Sequence, residues 1–152
     1  MQVKELIVDQ PQKEGVTLEY MRLTREFAEI RDYCLHKGET VTGYTGSGEA
    51  VSVRVEDVLY FEAVGELVFA YAEDAVYEVK KRLYQIEEGV RRNSVQRASK
   101  STLINTEHIV SVRPALNGRL FAKMENGEEV LISRNYAKQI AKCIMEGDDE
   151  GI

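Results

Sequence analysis

Nine side chains in the second half of the chain have the chemistry to hold a polyanion. Arg97, Ser99, Lys100 and Ser101 fall within five residues and combine fixed positive charge with short hydroxyls. Those are the groups that bind phosphate oxygens, and a lysine can also reach a guanine edge. Asn117 and Arg119 flank Gly118, with Arg113 and Lys123 on or beside the same hairpin. By the two-residue alternation of a strand, Arg119, Phe121 and Lys123 share one face, opposite Leu120, Ala122 and Met124. Arg134 and Asn135 open a helix, where backbone N–H groups already favour an anion, and Lys138 follows one turn later. Arginine and asparagine are also the side chains that read guanine and adenine in two-point fashion.

The charge distribution gives this set a setting. The 152 residues sum to −6, yet Lys80–Lys142 carries +7, Met1–Val79 carries −9, and the tail from Cys143 holds four acids and no base. A basic half is the electrostatic footprint of a polyanion partner. It can also serve to neutralise an acidic half of the same chain.

Other chemistries lack their residues. There is no phosphate-binding glycine loop, no dinucleotide fingerprint, no nucleophile elbow and no HExxH. His36 follows a helix and His108 begins a strand, and neither has a partner placed for triad chemistry. Glu62 with Glu66, or Glu128 with Glu129, could be posed as carboxylate pairs, but on strands such residues are ordinarily solvated. Cys34 and Cys143 lie far apart on apolar stripes of predicted helices and read as buried thiols in a reducing cytoplasm. Enzymatic activity, a metal and a cofactor are therefore not expected. No apolar run approaches the ~20 residues of a membrane helix, and the first residues carry acid early, against a signal peptide.

The elements that must position the nine residues read as mainly β with short helices. At the N-terminus, Val3–Val8 and Val16–Tyr20 pattern as strands around a turn at Asp9–Gly15. Leu23, Phe27, Ile30 and Cys34 then mark an amphipathic helix ending near Gly38. This predicts a β-β-α appendage over residues 1–39. From Thr40 the period changes to two, with strands at Val41–Tyr44, Val51–Val55, Val58–Phe61, Leu67–Tyr71, Val95–Arg97, Ser101–Ile104, Ile109–Arg113, Gly118–Met124 and Glu128–Ile132. Val79, Leu83, Ile86 and Val90 suggest one short helix carrying Lys80, Lys81 and Arg82. Asn117-Gly118 and Asn126-Gly127 predict type I′ hairpins. Ser133 is the expected cap of a last helix with Ala137, Ile140, Ala141 and Ile144 on one face and Gly147 past its end. The predicted domain spans 40–146, followed by an acidic tail over 147–152.

An ordered set of these residues resembles one family. Arg97-x-x-Lys100-Ser101-Thr102-Leu103-Ile104-Asn105, His108-Ile109, Asn117-Gly118-Arg119, Asn126-Gly127 and Ile132-Ser133-Arg134-x-Tyr136 are similar to the LytTR family of bacterial DNA-binding domains, as is Glu56–Ala63 upstream. The match spans about Thr40 to Met145. The resemblance implies a β fold that sets loops into successive major grooves of double-stranded DNA and reads promoter direct repeats, usually with two copies. Carried over, Lys100 is the central base-contacting residue, Arg134 a base-reading arginine, and the loop Ala63–Leu67 a third contact region. That loop departs from the family in offering Gly65, Glu66 and Leu67, and Ser99 stands where the family often has histidine. Many members carry a phospho-accepting receiver domain ahead of the DNA-binding part. Only about forty residues precede it in this sequence, which resembles the stand-alone members. The expectation is a cytoplasmic, non-enzymatic transcriptional regulator, dimeric at least on DNA. Its N-terminal region would serve dimerisation or dock a signalling partner. The alternative is a protein-interaction module of the same fold with weak, nonspecific nucleic-acid binding.

Overall fold

The computed structural model describes residues 2–9, 15–36, 38–91 and 94–148, and these belong to two compact units, Met1–Lys37 and Gly38–Ile152. In the first unit one helix forms, α1 (Arg25–His36). Thr24 opens it: its carbonyl accepts from Ala28 N at 2.9 Å and its hydroxyl from Phe27 N at 3.4 Å. Arg25 pairs with Glu29 one turn on, and the Tyr20 ring lies 5.6 Å from that of Phe27. The two strands expected at Val3–Val8 and Val16–Tyr20 are not formed; both stretches lack regular structure. Their alternation is real, but no neighbouring strand supplies the ladder that a strand needs. Cys34, expected to be buried, is exposed. The turn expected at Asp9–Gly15 lies mostly outside the described residues, as do Arg92, Asn93 and the side chain of His36.

The second unit runs β1 (Thr40–Tyr44), β2 (Ala50–Arg54), β3 (Val58–Val64), β4 (Leu67–Ala72), β5 (Val76–Val79), α2 (Leu83–Gly89), β6 (Val95–Ser99), β7 (Thr102–Asn105), β8 (Ile109–Pro114), β9 (Leu120–Met124), β10 (Glu129–Ile132) and α3 (Arg134–Asp148). Seven strands make an antiparallel sheet in the order β2-β1-β5-β4-β3-β7-β6, and three make a second, β10-β9-β8. Val79 closes strand β5 rather than opening a helix, and Lys80–Arg82 form the loop before α2. The helical spacing of Val79 with Leu83 and Ile86 arises because all three point into one core.

That core lies on one face of the large sheet. Val58, Phe61, Val68, Val79 and Leu103 meet Leu83 and Ile86 of α2. A second core on the other face joins Leu59, Tyr60 and Ile104 to Ala122, Met124, Val130 and Ile132 of the small sheet and Ala137 and Ile140 of α3. With both faces covered, β3 is buried along its first four residues. A bulge serves the two cores at once. Val58 pairs with Ala72 and Tyr60 with Tyr71, so Leu59 is the extra residue. Two consecutive side chains, Leu59 and Tyr60, thereby enter the second core, while Val58 and Phe61 enter the first. Asn105 closes β7 with its side chain almost fully buried, donating to Val58 O at 3.0 Å and accepting from Glu107 N at 3.2 Å.

The two Asn-Gly pairs make different turns. Asn117 (φ 62°) and Gly118 (φ 75°) are both left-handed inside Leu116–Arg119, the expected type I′ pattern. At the second site only Gly127 is left-handed (φ 86°). Gly127 N bonds Met124 O at 2.9 Å and Met124 N bonds Glu128 O at 2.8 Å, a type I turn closed by a glycine bulge. Asn126 instead accepts from Glu128 N, at 3.0 Å. Helix α3 continues through Gly147 to Asp148, past its expected end.

Candidate nucleic-acid interface

Five strands of the large sheet, β5-β4-β3-β7-β6, have ends of opposite charge. One register line crosses near the first end: Val79 pairs with Val68, Val68 with Ala63, and Ala63 N bonds Ser101 O at 2.8 Å. Beyond this line lie the β3–β4 turn with Gly65 and Glu66, the loop Lys80–Arg82, and the β6–β7 turn with Lys100 and Ser101. The line at the opposite end joins Val76 to Tyr71, and Val58 to Ala72. Beyond it sit Glu73 and Asp74, Glu56 and Asp57, and Glu107, together with the exposed cation Arg91, whose N–H bonds Glu39 Oε1 at 2.8 Å. Glu125 joins them through its N–H to His108 O at 3.1 Å.

The acidic end is internally paired. Arg54 meets Glu56 at 3.2 Å, and His108 Nδ1 meets Glu125 at 2.8 Å while its Nε2 bonds the Glu56 carbonyl. Burial lowers the His108 pKa, but the hydrogen bonds the ring donates to Glu56 O and Glu125 and the charges of Glu125 and Glu107 outweigh it, and the net shift is upward. At the other end, among the described residues, Lys80, Lys81, Arg82, Lys100 and Arg134 have no carboxylate partner, and all five are exposed.

Local geometry draws the sequence-predicted residues together. In β6, Arg97 pairs with Leu103 and Ser99 with Thr102, leaving Ala98 as a bulge. Ala98 is fully buried, and its carbonyl, out of the ladder, accepts Ser133 N at 2.8 Å. The Ser133 carbonyl in turn accepts from Tyr136 N and Ala137 N, which starts α3. The bulge thus ties the Lys100 turn to the first residues of α3. Gly118 brings in the β8–β9 loop: a Cβ there would lie 2.9 Å from Arg134 Cγ, so the Arg134 stem crosses the glycine. Asn117, Arg119, Ser133, Arg134 and Asn135 line one shallow depression of about 380 Å³. Arg119 Nε donates to Leu116 O at 2.9 Å, and Lys138 is exposed one turn beyond Arg134. Ser99 Oγ accepts from Ser101 N at 3.2 Å and shapes the turn under Lys100.

Arg97 stands apart from the other predicted contacts. Its guanidinium is 2.6 Å from Glu87 on α2 and donates to Lys100 O at 3.1 Å, and only 17% of the side chain is exposed. It braces the turn rather than presenting a free charge. Arg113 is likewise engaged, with Glu129 at 3.0 Å and the Phe121 ring at 4.3 Å. Sequence reading missed Glu87 as the partner of Arg97, since ten residues and a helix separate them. It also put Lys80–Arg82 on a helix.

Residues 48–145 match the LytTr DNA-binding domain family. Among curated proteins the chain is 26% identical over 125 residues to the sensory transduction protein LytT of Bacillus subtilis (strain 168), spanning 82% of this chain and 52% of that one. It is 28% identical over 106 residues to an uncharacterized HTH-type transcriptional regulator of Staphylococcus aureus (strain NCTC 8325 / PS 47), covering 70% of this chain and 71% of the relative. The chain thus spans about half the length of the first of these relatives. Among solved structures, a LytTr DNA-binding domain from Bacillus cereus superposes with a TM-score of 0.63 at 28% identity, over 69% of this chain and 95% of that one. With the family match covering most of the chain, and the same fold in a solved member, this chain belongs to the LytTr DNA-binding domain family.

Proposed function

We propose that the chain is a cytoplasmic transcriptional regulator that binds promoter direct repeats as a homodimer, laying the basic end of its sheet along double-stranded DNA. The observation that carries this reading is the charge polarity of the sheet: unpaired cations at one end, acids and their partners at the other. A surface of that kind repels duplex DNA at one end and attracts it at the other, which fixes the docking orientation. Lys100, at the tip of a two-residue turn, enters a major groove. Arg134, with Asn117, Arg119 and Asn135 around it, enters the next. Ser101 and Lys138 hold phosphate. Glu66, in the third loop, accepts from a cytosine amine or touches no base. The N-terminal unit serves dimerisation or docks a signalling protein; α1, with Phe27 and Ile30 on one face and Tyr33, Cys34 and Leu35 exposed, gives it an apolar surface to do so.

The test is selection of bound duplexes from a random-sequence pool by the full chain, then fluorescence anisotropy against the enriched duplex and a scrambled one. The enriched pool should contain a repeated half-site. Lys100→Ala and Arg134→Ala should each weaken the enriched duplex by about 1–3 kcal/mol and relax preference at one position. Equal and weak binding to both duplexes would instead favour an interaction module of the same fold.

A further inference from the structure

We propose that the loop Lys80-Lys81-Arg82 is a phosphate clamp that extends the DNA footprint beyond the base-reading loops; this rests on the proposed DNA-binding function. The sequence pattern put these three cations on a short helix, which hid the loop.

The placement is the first argument. Val79, the residue before Lys80, lies on the same register line as Val68, Ala63 and Ser101. The loop therefore leaves the sheet at the same end as the Lys100 turn, three strands away. At about 4.8 Å per strand the separation is roughly 14 Å. A major groove is about 12 Å wide. A cation that far to the side of a side chain reading base edges stands over the phosphates flanking the groove, not over the bases.

The second argument is electrostatic. All three side chains are exposed, and none has a carboxylate partner among the described residues. Three adjacent like charges with no internal partner concentrate positive potential on one exposed loop. Three arginines of the second unit, by contrast, are held by carboxylates: Arg54 by Glu56, Arg97 by Glu87, Arg113 by Glu129.

The third argument is preorganisation. The Lys80 ammonium sits 4.3 Å above the Tyr44 ring, which holds it in place by cation–π attraction while leaving its outer face to solvent. Arg82 N bonds Gln85 Oε1 at 2.9 Å, which pins the other end of the loop to α2. The backbone is thus fixed on both sides of Lys81. Glu66, in the neighbouring β3–β4 turn, sits between the clamp and the Lys100 turn, where it would separate phosphate-holding from base-reading contacts.

The experiment compares the full chain with Lys80→Ala/Lys81→Ala/Arg82→Ala on the duplex enriched from the random pool and on a scrambled duplex, across a salt series. Loss of two or three phosphate contacts should reduce the slope of log affinity against log salt by about 2–3, at about 0.9 per contact. Affinity should fall by the same factor on both duplexes, leaving the ratio between them unchanged. Hydroxyl-radical footprinting should show backbone protection lost on one side of the site. Lys81→Glu, a single exposed change, provides a variant with little risk to folding, and it should weaken both duplexes alike. An unchanged slope and footprint in a variant that still binds would overturn the clamp and leave the DNA-binding reading intact. A wild-type chain with no salt-dependent binding to either duplex would overturn both. A changed ratio between duplexes with an unchanged slope would make the loop a base reader and overturn the clamp as stated.

Discussion

Arg97 shows how a single side chain can look like a contact and act as a brace. Its charge is neutralised by Glu87 at 2.6 Å, and its second guanidinium arm holds Lys100 O. Glu87→Gln should therefore weaken binding of the enriched duplex by about 1 kcal/mol, roughly fivefold, with the salt slope unchanged, because no phosphate contact is lost. Arg97→Lys should not restore affinity, since an ammonium cannot span both partners. Anisotropy across a salt series reads both effects, and a slope lowered by about 1 in Arg97→Ala would return Arg97 to the phosphate contacts. His108 governs the other end. Its pKa is raised above 6.5 because burial is outweighed by the Glu56 carbonyl and Glu125. The sign follows directly: the stability it contributes is complete below about pH 6.5 and is lost as pH rises through the folded value. Urea unfolding should show wild type losing stability over that rise. His108→Gln, which has no titrating ring, should be less stable at pH 6 and flatter with pH.

Among the elements, bulges and turns decide where side chains go. The Ala98 bulge frees the carbonyl that starts α3, so the distance from Lys100 to Arg134 is set by backbone rather than by flexible side chains. Gly118 sets the last part of that geometry. Gly118→Ala puts a Cβ 2.9 Å from Arg134 Cγ at φ +75°, and should cost about 1–2 kcal/mol of stability while displacing the arginine stem. Thermal unfolding measures the first effect. Binding-site selection measures the second, as lost preference at the position proposed for Arg134. Asn105→Ala acts on stability alone: it leaves the buried Val58 carbonyl without its donor and the Glu107 N–H without its acceptor, and should cost about 1–3 kcal/mol. Much of this architecture was legible from residue order. Alternation located nine of ten strands, and the Asn117-Gly118 pair specified its turn. What escaped was whatever depends on neighbours distant in sequence. Val3–Val8 alternates like a strand but has no ladder. Val79 has helical spacing with Leu83 only because strand and helix face one core. Asn126-Gly127 carries the type I′ signal, but the pairing of Met124 with Glu128 leaves one residue more than that turn accommodates, and the type I turn with a bulge takes its place. Of the candidate site, the structure brings Asn117, Arg119, Arg134 and Asn135 around one depression, while the engagements of Arg97 and Ser99 needed Glu87 and the Ser101 N–H to be seen beside them.

At the scale of the whole molecule, the division of labour between the two units is the remaining question of mechanism. Gly38–Ile152 holds both cores and every proposed DNA contact, so it has what it needs to fold and to bind a half-site. Among the described residues, Met1–Lys37 forms one helix and exposes apolar side chains, Val3, Leu6, Ile7 and Met21 among them, which is the observation behind the proposed partner surface. Under the proposed dimerisation, a second copy joined through this unit would convert the second half-site contact into an intramolecular event. With an effective concentration in the millimolar range, such linkage raises affinity for paired half-sites by about 10²–10⁴ without any new DNA contact. A chain truncated to begin at Thr40 should therefore bind a single half-site as well as the full chain does. On two half-sites it should bind more weakly by that factor, and it should sediment as a monomer where the full chain sediments as a dimer. Matched affinity on paired half-sites, together with unchanged sedimentation, would remove dimerisation from the N-terminal unit. The apolar residues would then be left to a signalling partner, and cooperativity on DNA would have to arise from contacts between neighbouring basic-end domains or from the bend they impose on the duplex.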